Sequence, residues 1–227
     1  MRVGTRWLSL LAALAVTLAS GRVGALTVQE LPLSNGPYEA TSPDPSVRII
    51  EQVGHDLVLP PPASAPEQAL AMRVGQAFRW SALARAIRAS LSGGERWLFV
   101  FVRDPAGAEQ VVRFFLNSRL MEPFLFPDMP TLTGDEDVLR LGRKGRMPII
   151  EHQGMTIAPA DVATALDSAF VAVGDLFFPL HETPSKDEFP VWIEFRGAVR
   201  FQDVVEAVSL IQTAGYERAL VRLHRAR

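Results

Sequence analysis

The clearest alternation of apolar and polar positions lies near the C-terminus of the 227-residue chain, between residues 189 and 223. Apolar and polar residues alternate over 191–196, which predicts a strand. Apolar residues then recur at intervals of three and four and predict a helix: Phe201, Val204, Val205, Val208 and Ile211. Gly215 is predicted to end this helix in the left-handed conformation, and alternation over 219–223 predicts a closing strand.

An earlier stretch, Trp97 to Leu120, has a similar order. The continuous apolar run Trp97 to Val102 predicts a strand covered on both faces. Asp104 and Pro105 are predicted to open a helix, as N-cap and first-turn proline, whose stripe is Ala108, Val111, Val112 and Phe115. In this alignment, Val102, Arg103, Val111 and Val112 correspond to Phe195, Arg196, Val204 and Val205.

Two further helices are predicted upstream of these stretches, one from Trp80 to Leu91 and one from Val162 to Val173, opened by Pro159. Each follows a short apolar run, at 70–74 and at 147–150. The order strand, helix, strand, helix therefore occurs twice. It predicts an α+β protein with two similar sheet-and-helix lobes.

Proline, glycine and charge runs predict the boundaries of these lobes. Residues 26–68 contain many prolines and are interpreted as an extended lead-in, with 47–50 and 56–59 as possible short edge strands. The first lobe is predicted at 69–126 and the second at 144–227, and 127–143 is interpreted as a linker.

The N-terminus has the pattern of a secretory signal peptide over residues 1–25. Arg2 and Arg6 precede an uncharged apolar run, Trp7 to Ala19, which is short for a membrane span. Cleavage is expected after Ala25, with Ser20 as the alternative, and an uncleaved anchor would be the only contact with the membrane. The protein is therefore expected in the periplasm or secreted.

Charge and cysteine content exclude several classes of function. Loss of the three arginines in residues 1–25 changes the formal net charge from −2 to −5, which argues against nucleic-acid binding. The chain contains no cysteine, so disulfides, thiolate metal sites and cysteine nucleophiles are excluded. No cofactor or metal site is predicted, because the four histidines lack metal-ligand spacing.

Two alternatives from other functional classes remain open. His152 and His181 lie beside acidic residues, so a secreted hydrolase using either histidine is one hypothesis. A periplasmic protein that binds a small ligand between the lobes is the other. Arg103 and Arg196 end the two predicted central strands, where guanidinium groups are suited to carboxylates such as those of cell-wall peptides.

The C-terminal stretch resembles the periplasmic domain of the ExbD/TolR biopolymer-transport family. The resemblance lies in the strand 190–196, the aromatic-x-x-Val-Val helix start at Phe201 to Val205, the Ala214-Gly215 pair and the closing strand, preceded by 147–166. It implies a domain that pairs with itself. The apolar run Trp7 to Ala19 has no acidic residue, so the family's proton-driven motor does not follow from it.

The resemblance implies a non-enzymatic cell-envelope accessory or adaptor that binds a TonB- or Tol-like protein, or peptidoglycan. Because the strand Ala219 to Leu223 closes the pattern, Val221 is predicted to lie in an exposed sheet edge that a partner strand completes. Arg218 and Arg222 beside it predict an acidic partner.

Overall fold

The computed structural model describes residues 26–38, 47–62, 69–91, 97–117, 138–144, 147–152, 154–177, 185–187, 189, 191–196 and 198–222. Within these ranges the strands are β1 (Arg48–Val53), β2 (Asp56–Val58), β3 (Leu70–Arg73), β4 (Trp97–Arg103), β5 (Glu109–Asn117), β6 (Val138–Lys144), β7 (Met147–His152), β8 (Met155–Ile157), β9 (Val191–Phe195) and β10 (Ala219–Arg222). The α-helices are α1 (Trp80–Ser90), α2 (Val162–Phe177) and α3 (Phe201–Thr213). The predicted signal peptide, residues 1–25, lies outside the described residues.

All ten strands form one mixed sheet in the order β2-β1-β3-β4-β5-β10-β9-β6-β7-β8. The first five strands belong to the N-terminal half of the chain and the last five to the C-terminal half. The halves meet where β5 pairs in parallel with β10. The α+β class predicted from the sequence is confirmed, and two sheet-and-helix halves are compatible with this arrangement.

The three helices form where apolar residues recur on one face. Leu83 and Ile87 of α1 and Val204 and Val208 of α3 are fully buried in the main core. The helix α2 follows a 3-10 turn, Pro159–Asp161, in which the proline occupies the first turn, as predicted. The main core therefore lies between these helices and the sheet residues that face them.

The helix predicted from Asp104 is wrong, because this region is a β-hairpin. The Asp104 carboxylate accepts from the Ala108 backbone N–H at 2.8 Å, and Gly107 has a φ of 89°, so the chain turns back. The following strand, β5, is buried on both faces: Val112 packs in the main core, and Val111 packs with Leu31, Ala71 and Phe101. When both faces of a strand are buried, apolar residues occupy consecutive positions, and the alternation of apolar and polar residues that identifies a strand is lost.

The predicted register between the two halves is also wrong, since Val111 lies in a strand and Val204 in a helix. A different correspondence is seen. The unit β3-α1-β4 has the same order of elements as the unit β9-α3-β10, and corresponding residues are 121 positions apart in the sequence. Trp80 and Phe201, for example, each begin the helix of their unit. In this register Arg103 does not correspond to Arg196.

These two units run antiparallel to each other and meet at the beginnings of their helices. The Trp80 N–H donates to the Val199 carbonyl at 2.9 Å, and the Phe201 N–H donates to the Phe78 carbonyl at 2.8 Å. Arg79 and Arg200 lie opposite each other between these bonds, in an antiparallel bridge. The two units are therefore related by an approximate two-fold axis that passes near Arg79 and Arg200.

Two predicted connecting segments belong to the fold. Residues 138–143, interpreted as part of a linker, form most of β6, which pairs with β7 and β9. In the predicted lead-in, β1 and β2 form as expected, but β1 lies between β2 and β3 and is not an edge. Residues 26–38, hereafter the strap, pack on the domain, and Leu31 is fully buried.

Candidate binding groove

The predicted edge strand, β10, lies inside the sheet, between β5 and β9. Val221 pairs in register with Leu116 on one side and Ile193 on the other, and it is fully buried. The prediction of an exposed edge is therefore wrong. The physical reason is that position along the chain does not decide position in a sheet: two crossovers through helices return the chain to its centre.

The arginines predicted beside that edge lie in different surroundings. The Arg218 carbonyl accepts the Val191 N–H at 3.0 Å and so begins the pairing of β10 with β9. A hydrogen bond from Ser185, with the backbone N–H of Asp187 and the charge of Arg218, lowers the pKa of Asp187. The Arg222 backbone belongs to β10, and its side chain lies outside the described part of the structure.

Arg103 and Arg196, predicted as binding residues at strand ends, make different contacts in the structure. The Arg103 backbone pairs with the strap, donating to the Pro32 carbonyl at 2.7 Å. The Arg196 side chain binds the carboxylate of Glu194, with its Nε 2.8 Å from Oε1. Arg140 approaches the same carboxylate at 3.6 Å, so Glu194 is enclosed by two guanidinium groups.

Of the two histidines in the hydrolase hypothesis, which uses either one, the described structure includes only His152. His152 ends β7 and is buried, and His181 lies outside the described residues. Within the described ranges, no group of three or more histidine, aspartate or glutamate side chains is placed to hold a metal ion.

A groove of about 620 Å³ opens beside α3. Its walls are α3, the strap and the sheet edge formed by β6, β7 and β8. The apolar residues that line it are Leu33, Leu141, Ile149, Ile150, Ile157, Pro159, Ala207 and Leu210. A volume in the range of about 300–1,000 Å³ and a mainly apolar lining are typical of ligand and peptide sites.

The strap forms one wall because α3 binds its backbone. The Gln202 side chain accepts from the Leu33 N–H at 2.8 Å and donates to the Leu33 carbonyl at 3.0 Å. About two helical turns further along α3, the Ser209 hydroxyl accepts from the Asn35 N–H at 3.0 Å. These bonds hold Leu33, which is 37% exposed, at the mouth of the groove.

The ionisable residues among the described lining residues are both acidic, Asp203 and Glu206. Asp203 is buried and accepts the Arg200 N–H at 2.8 Å, which caps the first turn of α3. Glu206 is exposed, and its carboxylate accepts from the Gln202 amide at 2.8 Å. The groove therefore combines an apolar surface with negative charge on α3.

The strand β8 borders the groove and is an edge of the sheet. It pairs with β7 on one side through the hairpin at Gly154, whose φ is 77°. Met155 on this strand is 65% exposed. An edge strand presents backbone N–H and C=O groups that an extended peptide can pair with.

Sequence reasoning missed this groove because its lining residues come from three distant parts of the chain. The local signals were present but incomplete: Gly154 followed by Met155, Thr156 and Ile157 is a short hairpin pattern. The approach of the strap to α3 has no local signal, since it depends on contacts between residues about 170 positions apart.

Comparisons with known proteins leave the interpretation to the geometry. The chain matches no protein-family model, no curated protein and no solved structure. No helix within the described residues has the length and apolar character needed to cross a membrane.

Proposed function

We propose that this protein is a non-enzymatic cell-envelope adaptor of an ExbD/TolR-like biopolymer-transport system, and that it binds a segment of a protein partner in the groove beside α3. The observation that carries the proposal is the apolar groove of about 620 Å³ next to the edge strand β8. Strand pairing supplies affinity in such sites, and side-chain pockets supply specificity.

The resemblance to the ExbD/TolR periplasmic domain adds support from the C-terminal half. There, the strand β9, the helix α3, a left-handed Gly215 and the strand β10 follow each other in the order that the resemblance implies. A TonB- or Tol-like protein is accordingly the first candidate partner. Peptidoglycan is the second.

Photo-crosslinking in the source organism tests the proposal. A photoreactive phenylalanine at Thr213, an exposed residue that lines the groove, should crosslink to a discrete envelope protein. The matched control is the same substitution at Val171, which is 58% exposed on α2 and does not line the groove. Equal crosslinking from both positions, or none from Thr213, would contradict the groove as the binding site.

Export is proposed on the signal-peptide pattern of residues 1–25. N-terminal sequencing of protein recovered from the envelope fraction should begin at Leu26 or close to it. Recovery of the chain with Met1 in the membrane pellet would contradict processing.

A further inference from the structure

The charge of the groove restricts what it can bind. Its described lining is apolar except for neutral polar groups and the two acidic residues, Asp203 and Glu206. Asp203 is buried and caps α3, whereas Glu206 is exposed and lines the groove. A segment with negative charge would meet like charge here, and a segment with positive charge would meet a complementary one.

We infer that the groove takes an extended peptide segment with apolar side chains and a lysine or arginine, and that Glu206 selects this positive charge. The inference rests on the proposed function and names its partner chemistry. It reverses the acidic partner predicted from the sequence, which relied on arginines beside β10 and not on the groove.

The edge strand favours an extended peptide over a compact ligand. The strand β8 has three residues, which span about 10 Å at about 3.3 Å per residue, and alternate residues present their backbone groups at its free edge. In a paired strand, alternate side chains point to the same side, so every second residue of the segment can enter the apolar part of the groove. A cationic residue in the segment then reaches Glu206 on α3.

The same chemistry disfavours peptidoglycan in this groove. Its peptide stems carry carboxylates and its glycan strands are polar, whereas the lining is apolar and its ionisable residues are acidic. Burying unpaired polar groups against apolar side chains is unfavourable.

The size of the expected effect follows from the exposure of Glu206. An exposed ion pair changes an equilibrium by only about two- to fivefold, and salt weakens it. Apolar contact and strand pairing are therefore expected to provide most of the affinity. Glu206 discriminates by charge between the peptide segments that compete for the groove.

Three labelled, end-blocked peptides test the inference by fluorescence anisotropy with protein purified from the envelope fraction. Each alternates valine and serine and carries lysine, glutamine or glutamate at its central position. The lysine peptide should bind about two- to fivefold more tightly than the glutamine peptide at low salt, and the glutamate peptide should bind most weakly.

Variants assign the preference to one residue. Glu206→Gln keeps an oxygen that can accept from Gln202 and should abolish the preference, whereas Glu206→Lys should make the glutamate peptide the tightest. Asp56→Asn, which changes an exposed acid on β2 at the opposite edge of the sheet, should leave the order unchanged. An unchanged order in Glu206→Gln, confirmed as folded by circular dichroism, overturns the inference even if the lysine variant does not fold.

The outcomes separate this inference from the proposed function. Equal binding of all three peptides, with displacement of the Thr213 crosslink, overturns charge selection and leaves the groove as a partner site. Absence of peptide binding, together with a crosslinked partner at Thr213, also overturns the inference alone. Absence of both peptide binding and crosslinking overturns the two proposals together.

Discussion

At the scale of single residues, the strap is held against α3 by the close approach of Gly36 to Gln212 and Ser209. A Cβ atom added to Gly36 would lie 3.2 Å from Oε1 of Gln212 and 3.3 Å from Oγ of Ser209. These distances are tighter than ordinary van der Waals contact, so only glycine fits without displacing its neighbours. The same two side chains hold other backbone groups, since Gln212 donates to the Arg113 carbonyl at 2.7 Å and Ser209 accepts from Asn35.

Gly36→Val is therefore expected to displace the strap and lower the free energy of unfolding by about 1–3 kcal/mol, as overpacking does. Urea denaturation measures the loss, and limited proteolysis within residues 26–38 should become faster. Gly142→Ala is the control, because its added Cβ would meet Ile149 at an ordinary 3.6 Å. A loss no larger than that of the control would show that the strap does not depend on this contact.

A second residue-scale feature is the contact among Tyr216, Asp167 and Lys186. The fully buried Tyr216 donates its hydroxyl to Asp167 Oδ1 at 2.7 Å, and Lys186 donates to the same oxygen at 2.6 Å. The hydrogen bond from Lys186, followed by that from Tyr216, lowers the pKa of Asp167. Burial, followed by the hydrogen bond to Asp167, raises the pKa of Tyr216.

These pKa shifts predict that the folded state loses stability at both ends of the pH range. Because the Asp167 pKa is lower in the folded state, its contribution is present above the ordinary aspartate pKa and is lost as pH falls through the lowered value. Because the Tyr216 pKa is raised, its contribution is present below the ordinary tyrosine pKa and is lost as pH rises above about 10.

Tyr216→Phe should reduce the free energy of unfolding by about 1 kcal/mol near neutral pH, the usual net value of one hydrogen bond. The chain has two tyrosines, and burial raises the pKa of both, that of Tyr216 by more. Tyrosinate absorbance from Tyr216 should therefore appear last in an alkaline titration, and the variant should lose that step. Tyr38→Phe is the matched control and should retain that step. Ionisation of Tyr216 at the ordinary tyrosine pKa would contradict the contact.

At the scale of elements, the position of a strand in the sheet decides what its residues tolerate. Val221 in β10 is fully buried between two neighbouring strands, whereas Val58 in the edge strand β2 is 52% exposed. The two residues are chemically identical and both lie in short strands. They therefore provide a direct comparison of a central and an edge position.

Val221→Thr should lower the free energy of unfolding by about 1–3 kcal/mol, because a hydroxyl is buried in an apolar core. Val58→Thr should change it by less than about 0.5 kcal/mol, as exposed substitutions usually do. Thermal and urea denaturation measure both values. Similar values for the two variants would contradict the central position of β10.

At the scale of the whole molecule, the two halves complete one another. They share the β5–β10 pairing, the reciprocal hydrogen bonds beside Arg79 and Arg200, and an edge-to-face contact between Trp80 and Phe195 with ring centroids 5.1 Å apart. Separation would expose an unpaired edge on each half and the two aromatic rings. Such surfaces promote association or aggregation.

Fragments divided between residues 127 and 138 should therefore be unstable alone and should form a one-to-one complex when co-expressed. Gel filtration and near-ultraviolet circular dichroism test this expectation. Two fragments that are each monomeric and cooperatively folded would show instead that the halves are independent domains.

Elements with a clear single-sided pattern could be predicted from the sequence alone. The helices α1, α2 and α3 follow from apolar spacing of three and four residues, because this spacing places the apolar side chains on the helix face that meets the core. The strands β4 and β9 follow from apolar runs and alternation. The positive φ of Gly215, 94°, confirms the predicted helix end.

Three features depended on the tertiary structure: the order of the strands, the formation of a strand rather than a helix at β5, and the groove. The apolar residues of β5 fit a helix stripe as well as a strand, and only neighbours on both faces distinguish the two. The sequence around Val221 would have the same local pattern whether its strand were at the edge or in the centre of the sheet. The residues that pair with Val221 lie about 28 and 105 positions away in the chain. The sequence determined which residues must be buried and the period of each element, because these are local properties; the tertiary structure decided which buried faces meet, because that choice depends on contacts between distant residues.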